Sequence, residues 1–133
     1  MKKFLFLSLL LSLAACQMQA VKPTELEQNS EARVSSPSAH AFVSSPLSVD
    51  GSAPGTWFSE GVLSVHLEDA NGTVLAQTSG VAEGDWMTIE RVPFHAELEF
   101  APPTTTDGVL VIENDNPSGL AENMKRLEVP VVF

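Results

Sequence analysis

The chain has 133 residues, the length of one domain, because a domain usually takes roughly 100–200 residues. Its 17 acidic and 7 basic residues give a net charge of −10, which argues against a nucleic-acid partner, since such proteins concentrate Lys and Arg where phosphates must be neutralised. A hydrophobic share of 44% indicates a globular chain, and no apolar run after the N-terminal segment reaches the roughly 18 residues of a membrane-spanning helix.

The N-terminal segment has the pattern of a secretory signal peptide. Lys2 and Lys3 form a basic start, and the apolar run Phe4 to Leu13 is too short to remain in a bilayer as a spanning helix. The run ends in Leu13-Ala14-Ala15-Cys16, which resembles the lipobox of bacterial lipoproteins. The resemblance implies cleavage after residue 15 and a diacylglycerol attached to the sulfur of Cys16. We therefore expect residues 1–15 to be a lipoprotein signal peptide.

Several consequences follow for the location of the mature chain. Cys16 is the only cysteine, so an intramolecular disulfide is impossible, and two or more acyl chains would hold the protein stably at a membrane. Gln17, rather than Asp, follows the cysteine, which by resemblance to lipoprotein sorting favours an outer membrane where one exists. Removal of residues 1–15 leaves 5 basic and 17 acidic residues, so an anionic lipid surface would repel the body of the protein. The predicted location is the cell envelope, outside the cytoplasm.

The segment from the cysteine to residue 39 is predicted to be a linker. It is rich in Ser, Gln, Glu and Pro and lacks an apolar period, which is typical of a flexible segment. As a coil, its 23 residues after Cys16 would reach roughly 25 Å on average. A short helix from Thr24 to Ala32 remains an alternative, although it offers few apolar positions for packing. The folded domain is then expected to span residues 40–133.

The body of the chain alternates apolar and polar residues with the period of a β-strand. Within Gly61 to Glu68, the residues Leu63, Val65 and Leu67 share one face. The sequence Asp69-Ala70-Asn71-Gly72 then predicts a turn, and the segment from Thr73 to Thr78 is expected to return as the partner strand of a hairpin.

Further strands are predicted along the rest of the body. They are Ala41–Ser45, Leu47–Ser52, Trp86–Glu90, Phe94–Phe100, Gly108–Glu113 and Leu127–Phe133. Pro130 interrupts the last of these, so it is expected at a sheet edge or a bulge, because proline cannot donate to the ladder. Seven or eight short strands with turns between them indicate an all-β antiparallel sandwich, with a small closed barrel as the alternative.

A set of short motifs in fixed order also resembles a known domain family. The motifs are Ser45-Pro46, Gly51, Gly55-Thr56-Trp57-Phe58, Asp69-Ala70-Asn71-Gly72, Glu83-Gly84-Asp85-Trp86-Met87, Val92-Pro93-Phe94, Asp115-Asn116-Pro117-Ser118-Gly119 and Val129-Pro130-Val131. Over residues 41–133 they resemble the immunoglobulin-like domain of bacterial spore germination, also called the second GerM-associated domain. The resemblance implies an antiparallel immunoglobulin-like β-sandwich of about seven strands, located outside the cytoplasm, that binds rather than catalyses.

The candidate ligand-binding residues are Trp57, Trp86 and Asp85. Tryptophan faces stack on sugars or cations, and both tryptophans lie near glycine-rich or acidic turns. Burial in the core is the alternative for each of them, since immunoglobulin-like sandwiches commonly bury one tryptophan, so at most one is expected to be exposed. Glu83 and Asp85 lie two residues apart and would share a face on an extended segment, as a metal site or an acid pair needs; a solvated loop looks the same.

The sequence offers little else that indicates chemistry. The chain has neither a Gly-x-Ser-x-Gly nor a His-Glu-x-x-His motif, so no enzyme and no catalytic residues are predicted. Residues 115–119, with Asp69 or Asp107, could supply oxygen ligands to calcium, although turn chemistry explains them equally well. The histidines His40, His66 and His95 are far apart in sequence and are expected at the surface. No metal and no cofactor is predicted.

These observations together predict a lipid-anchored lipoprotein of the cell envelope. Its immunoglobulin-like module is expected to bind an envelope protein or a glycan, and its expected contacts are the membrane, through the lipid, and that partner, but no nucleic acid. One alternative is a structural accessory subunit that pairs with its neighbours through the edge strand Leu127 to Phe133. The other is a cell-wall hydrolase that uses Glu83 and Asp85.

Overall fold

A computed structural model describes residues 31–133, and these residues form an all-β domain. The strands are β1 (Arg33–Ser36), β2 (Ala41–Phe42), β3 (Leu47–Pro54), β4 (Val62–Asp69), β5 (Val74–Ala82), β6 (Arg91–Leu98), β7 (Asp107–Glu113) and β8 (Arg126–Val132). Two short 3-10 turns, Gly55–Trp57 and Ala121–Asn123, are the only helical segments in this part of the chain. The predicted signal peptide, Cys16 and most of the predicted linker lie outside the described residues.

The eight strands belong to a single hydrogen-bonded sheet in the order β1-β3-β6-β5-β4-β7-β8-β2. Neighbouring strands are antiparallel except for β2 and β8, which run in parallel where Ala41 pairs with Val131 and Phe42 with Val132. The structure therefore has eight strands rather than about seven, and it is not purely antiparallel. The parallel pair arises because the chain leaves β1 and crosses, through residues 37–40, to the far end of the strand order, where it lies beside β8.

The sheet curls around one core. β5 makes the link on one side, because it pairs with β4 along most of its length while its last residues, Val81 and Ala82, pair with β6. On the other side, β1 and β2 follow each other in the chain and occupy the two ends of the strand order. The inward-facing side chains thus form one cluster, as the burial of apolar surface favours.

The core confirms the alternation read from the sequence. Leu63, Val65 and Leu67 of β4 are buried, each with 1% or less of its surface exposed. The same inward rows on the other strands include the buried residues Val49, Ala53, Phe94, Leu98, Leu110, Ile112 and Val131. Phe94 is also in edge contact with Phe58, at 6.4 Å between the ring centres.

The predicted hairpin of β4 and β5 is present. The carboxylate of Asp69 accepts the backbone N–H groups of Asn71 at 2.8 Å and Thr73 at 2.9 Å, and Gly72 adopts a φ of 80° that few other residues tolerate. The side chain of Asp69 therefore stabilises the turn, and the returning strand β5 begins directly after it.

The folded domain begins before residue 40, so the predicted linker is too long at its C-terminal end. Residues 33–36 form β1, in which Arg33 pairs with Ser52 and Val34 with Gly51 of β3. Ala32 is buried and Val34 packs against the core, which supplies the apolar contacts that fix this segment to the sheet. Flexibility therefore remains a prediction only for residues 16–30.

The predicted strand Trp86–Glu90 is also wrong. This segment consists mostly of bends between β5 and β6, although apolar and polar residues alternate from Met87 to Glu90. Its backbone groups bond locally instead of to a neighbouring strand: the N–H of Thr88 donates to the carbonyl of Trp86, and that of Glu90 to the hydroxyl of Thr88. The side chains of this segment, which a strand would have divided between an outer and an inner face of the sheet, therefore belong to a loop.

Within residues 31–133, no helix has the length and apolar character needed to cross a membrane.

Candidate functional site

The loop of residues 83–90, between β5 and β6, contains two of the residues predicted to bind a ligand and also two highly exposed apolar side chains. Met87 is 77% exposed and Ile89 is 83% exposed. Asp85 precedes them and accepts the backbone N–H of Met87 at 3.0 Å through its side chain. Met87 and Ile89 lie two positions apart in the chain, and exposed apolar side chains that form a patch are typical of contact surfaces for other molecules.

The 83–90 loop is held in shape by the turn that follows β3. The backbone N–H of Gly55 donates to the carbonyl of Glu90 at 2.9 Å. Gly55 also lies so close to the carbonyl groups of Trp86 and Thr88 that a β-carbon at this position would collide with them. These contacts with a neighbouring turn restrict the loop, so Met87 and Ile89 are presented from a defined backbone.

The structure places two of the three residues predicted to bind a ligand on the 83–90 loop and the third in the core. Asp85 and Trp86 both belong to the 83–90 loop; Asp85 is exposed, and Trp86 is half-buried, with its indole beside Gly61. Trp57 is only 2% exposed and belongs to the core, so the alternative of burial holds for this residue and it offers no stacking face to a ligand. Trp57 ends the short turn Gly55–Trp57 and belongs to the cluster of buried residues that forms the core.

The acid pair Glu83 and Asp85 does not share a face. Glu83 donates its backbone N–H to the carbonyl of Pro93 at 2.8 Å, and its carboxylate lies near Asp50 and His95 on the outer face of the sheet. The carboxylate of Asp85 instead accepts the N–H of Met87. The bend at Gly84, with a φ of 119°, interrupts the alternation that would have aligned the two acids. The two carboxylates therefore have different neighbours: that of Glu83 lies near Asp50 and His95, and that of Asp85 accepts a backbone N–H of its own loop.

The candidate calcium ligands lie at opposite ends of the sheet. Asp69 pairs with Gly108, whereas Asp115 follows Glu113, which pairs with Ser64. Ser64 and Asp69 are five residue steps apart along β4, a distance of about 17 Å. Residues 115–119 form a turn in which the amide of Asn116 donates to the carbonyl of Leu120. Neither Asp69 nor Asp107 is therefore available to complete a calcium site at this turn.

A group of titratable side chains lies on the outer face of β3 and β6. His95 Nδ1 is 2.7 Å from Asp50 Oδ1, and its Nε2 is 3.4 Å from Glu97 Oε1. The hydrogen bond with Asp50 raises the pKa of His95, although partial burial acts in the opposite direction. The sequence did not indicate this group, because Asp50 and His95 are 45 residues apart and only the strand register makes them direct neighbours.

A second charged group lies on the outer face of β4, β7 and β8. Arg126 contacts Glu113 and Glu128 at 2.8 Å each and Glu68 at 3.4 Å, while Glu68 is also 2.9 Å from His66. The hydrogen bond from His66, together with Arg126, lowers the pKa of Glu68 against the effect of burial. Because Arg126 is surrounded by three carboxylates, this group pairs charges internally and links three strands of the sheet.

The described residues form a curled all-β sheet whose strands are joined by loops at their ends. A family model described as "Immunoglobulin-like domain of bacterial spore germination" matches residues 31–121, and the chain belongs to this family. The match begins just before β1 and includes both tryptophans and the 83–90 loop, while β8 lies beyond its end. Neither a curated protein nor a solved structure matches the chain significantly.

Proposed function

We propose that this chain is a lipid-anchored lipoprotein of the cell envelope whose immunoglobulin-like module binds another envelope component and performs no catalysis. The partner class is a protein or a glycan of the envelope. The observation that carries this proposal is the 83–90 loop, where Met87 and Ile89 are exposed to solvent on a backbone held by Gly55.

The shape and composition of the loop support a binding role. Covering Met87 and Ile89 with a partner removes apolar surface from water, at about 25 cal/mol per Å². A loop that is already held in place loses little conformational entropy on association, so more of this free energy is retained as affinity. Trp86, which directly precedes Met87 in the chain, is half-buried, and an aromatic side chain at such a position would suit a sugar as well as an apolar protein surface.

We also propose that the curled sheet acts as a sandwich of two layers. β1, β3 and β6 would form one layer, and β5, β4, β7, β8 and β2 would form the other, with β5 joining them. In such a sandwich the loops gather at the two ends, and the 83–90 loop would lie at one of them. This geometry presents the loop away from the sheet faces, as a binding loop requires.

The proposed anchor is the lipobox cysteine, Cys16. Its acyl chains would hold the domain at the membrane, and residues 17–30 would provide the distance from the surface. The excess of acidic residues would keep the domain itself away from an anionic bilayer and would favour a partner with basic groups around an apolar patch.

The test uses the full chain in the cells that express it, with a photo-crosslinking residue placed at Met87 and, separately, at Leu120. Leu120 is also an exposed apolar residue, at 52%, but it lies outside the loop. We expect a specific crosslinked envelope component from position 87 and none from position 120. The double variant Met87→Ser/Ile89→Ser should remove the interaction, whereas Phe42→Ser, which changes an equally exposed residue on β2, should keep it. Equal crosslinking from both positions, or full binding by the double variant, would refute the role of the loop.

The anchor is tested separately with the variant Cys16→Ser. Metabolic labelling with an alkyne fatty acid should mark the parent chain and leave the variant unlabelled, and the variant should be released from membranes. Labelling that persists in the variant contradicts lipid attachment at this residue.

A further inference from the structure

Three side chains that can bind a metal ion converge on the outer face of the sheet from three neighbouring segments. Asp50 on β3 is the direct register partner of His95 on β6, and Glu83 follows the end of β5, where that strand pairs with β6. One ligand atom from each of the three residues lies within 4.8 Å of the other two. The three residues come from positions 50, 83 and 95, so the sheet topology brings them together and sequence proximity does not.

We propose that Asp50, Glu83 and His95 form a binding site for a divalent transition-metal ion, for which zinc is the best fit. Zinc binds imidazole nitrogen and carboxylate oxygen at about 2.0–2.2 Å, which places neighbouring ligand atoms of a tetrahedral site roughly 3.3 Å apart. The 2.7 Å between Asp50 Oδ1 and His95 Nδ1 and the 4.8 Å limit for the whole set lie on either side of this value. Small rotations of exposed side chains are therefore sufficient to enclose the ion.

Glu97 would orient the imidazole without touching the ion. Its Oε1 lies 3.4 Å from His95 Nε2 and also accepts a hydrogen bond of 2.6 Å from the hydroxyl of Ser48. A carboxylate that accepts the proton of one ring nitrogen leaves the other nitrogen free to bind metal, and this arrangement is common around protein zinc ions. With Nε2–H directed at Glu97, the lone pair of Nδ1 points towards Asp50, where the ion would sit. Glu97 is thus a positioning residue.

The chemistry of the donor set also predicts the order of metal preference. Calcium takes six to eight oxygen ligands, whereas this site offers two carboxylates and one imidazole. Imidazole suits zinc and its neighbours in the transition series. Because the three protein ligands leave one tetrahedral position towards solvent, a water molecule would complete the site. The competing explanation is a protonated His95 that bridges Asp50 and Glu97 without any metal.

The test is calorimetric titration of the full chain with zinc chloride above pH 7 after removal of trace metal. Cys16→Ser is included in every sample, because it removes the only thiol, itself a possible zinc ligand. We expect saturable binding of one zinc ion per chain and far weaker binding of calcium. The single variants Asp50→Asn, Glu83→Gln and His95→Gln should each weaken zinc binding by at least about tenfold, and Glu97→Gln should weaken it by about tenfold as well.

Two control variants remove comparable groups elsewhere. His40→Asn removes an exposed imidazole, and asparagine tolerates the φ of 62° at this position; Glu122→Gln removes an exposed carboxylate. Both should bind zinc like the parent. Nitrogen-15 spectra should show a change at Nδ1 of His95 on zinc addition while Nε2 remains protonated. The absence of saturable binding, or full affinity in His95→Gln or in Asp50→Asn, overturns the proposal, and metal-free thermal melts show whether a variant is folded.

Discussion

Gly51 on β3 pairs with Phe94 on β6, and the ring of Phe94 occupies the space where a side chain at position 51 would begin. A β-carbon at Gly51 would lie 2.6 Å from Cζ of this ring. The ring cannot withdraw easily, because Phe94 is 1% exposed and in contact with Phe58. We therefore predict that Gly51→Ala lowers the free energy of unfolding by about 1–3 kcal/mol, the usual cost of overpacking a core. Urea denaturation measures this change.

A double-mutant cycle identifies the cause of this loss. Phe94→Leu removes the part of the ring that would collide with the new methyl group, so Gly51→Ala should cost less free energy in the Phe94→Leu background than in the parent. Equal costs in the two backgrounds would show that Phe94 is not the obstacle, and the close backbone carbonyl of Arg33 would then be the cause.

The group around Arg126 predicts an acid-sensitive contribution to stability. The pKa of Glu68 is lowered from 4.5 by the hydrogen bond with His66 and by Arg126, despite partial burial. A carboxyl group whose pKa is lower in the folded state stabilises the fold above its unfolded pKa and loses that contribution as the pH falls through the folded pKa. We expect the parent to lose stability as the pH falls below about 4.5, and Glu68→Gln to lose less over the same range.

Urea denaturation at a series of pH values measures the difference. Glu122→Gln, which removes an exposed carboxylate on the second 3-10 turn, serves as the control and should follow the parent curve. The charge-assisted hydrogen bonds of Glu68 are also lost in Glu68→Gln, so this variant should be less stable than the parent at neutral pH. Parallel pH curves for the parent and Glu68→Gln would contradict the assignment.

His95 predicts a titration that is displaced in the opposite direction. The hydrogen bond with Asp50 raises its pKa above 6.5, and Glu97 contributes to the same effect. Glu83, which faces the ring from the end of β5, is the other carboxylate of this group. A raised pKa in the folded state means that the stabilising contribution is present below the unfolded pKa and disappears as the pH rises through the folded one.

Nuclear magnetic resonance of the imidazole in metal-free buffer tests this prediction. Asp50→Asn should move the midpoint of the His95 titration down towards that of a free imidazole, because the hydrogen bond with the Asp50 carboxylate is the main cause of the raised pKa. Glu97→Gln should move it by a smaller amount, since its oxygen is 3.4 Å from the ring rather than 2.7 Å. A midpoint that Asp50→Asn leaves unchanged would show that this hydrogen bond does not control the titration.

The strands that the sequence predicts correctly are those whose alternation is supported by burial. β4 is an example, because Leu63, Val65 and Leu67 are apolar and each of them reaches the core. Within the segment Trp86–Glu90, the residues from Met87 onward alternate in the same way but pair with no strand, so the pattern does not correspond to a strand in the structure. β1 shows the reverse case: a strand of four residues with a single apolar member, Val34, has too little pattern to detect.

The candidate sites show a similar division. Asp85 and Trp86 could be predicted from the sequence because a loop rich in glycine and acidic residues is recognisable from a few consecutive residues. The neighbours Asp50 and His95 could not, since their contact depends on the register between β3 and β6 over an interval of 45 residues. For Trp57 the sequence leaves burial and exposure both open, because a flanking glycine is compatible with either; here Gly55 makes a close backbone contact with the 83–90 loop and the indole is buried.

The last prediction concerns β8 and whether its outer side can accept another strand. The carbonyl groups of Pro130 and Val132 accept the backbone N–H groups of His40 and Val43. Because alternate residues of a strand point their backbone groups to opposite sides, Arg126 and Glu128 direct theirs to the same outer side, where none of the described strands pairs with them. An incoming strand would therefore find only two residues before Pro130, which has no N–H to donate.

Proline substitutions distinguish the two sides of β8. Glu128→Pro removes an outward N–H and should leave the pairing with β7 intact, whereas Val129→Pro removes an N–H directed at β7 and should cost at least about 1 kcal/mol of stability. If the chain is instead an accessory subunit joined through this edge, Glu128→Pro should abolish its assembly without unfolding it, as size-exclusion chromatography with light scattering would show. Deletion of residues 129–133 cannot make this distinction, because Val131 is 1% exposed and its removal opens the core. An assembly that survives Glu128→Pro would mean that the outer side of β8 is not the joining surface.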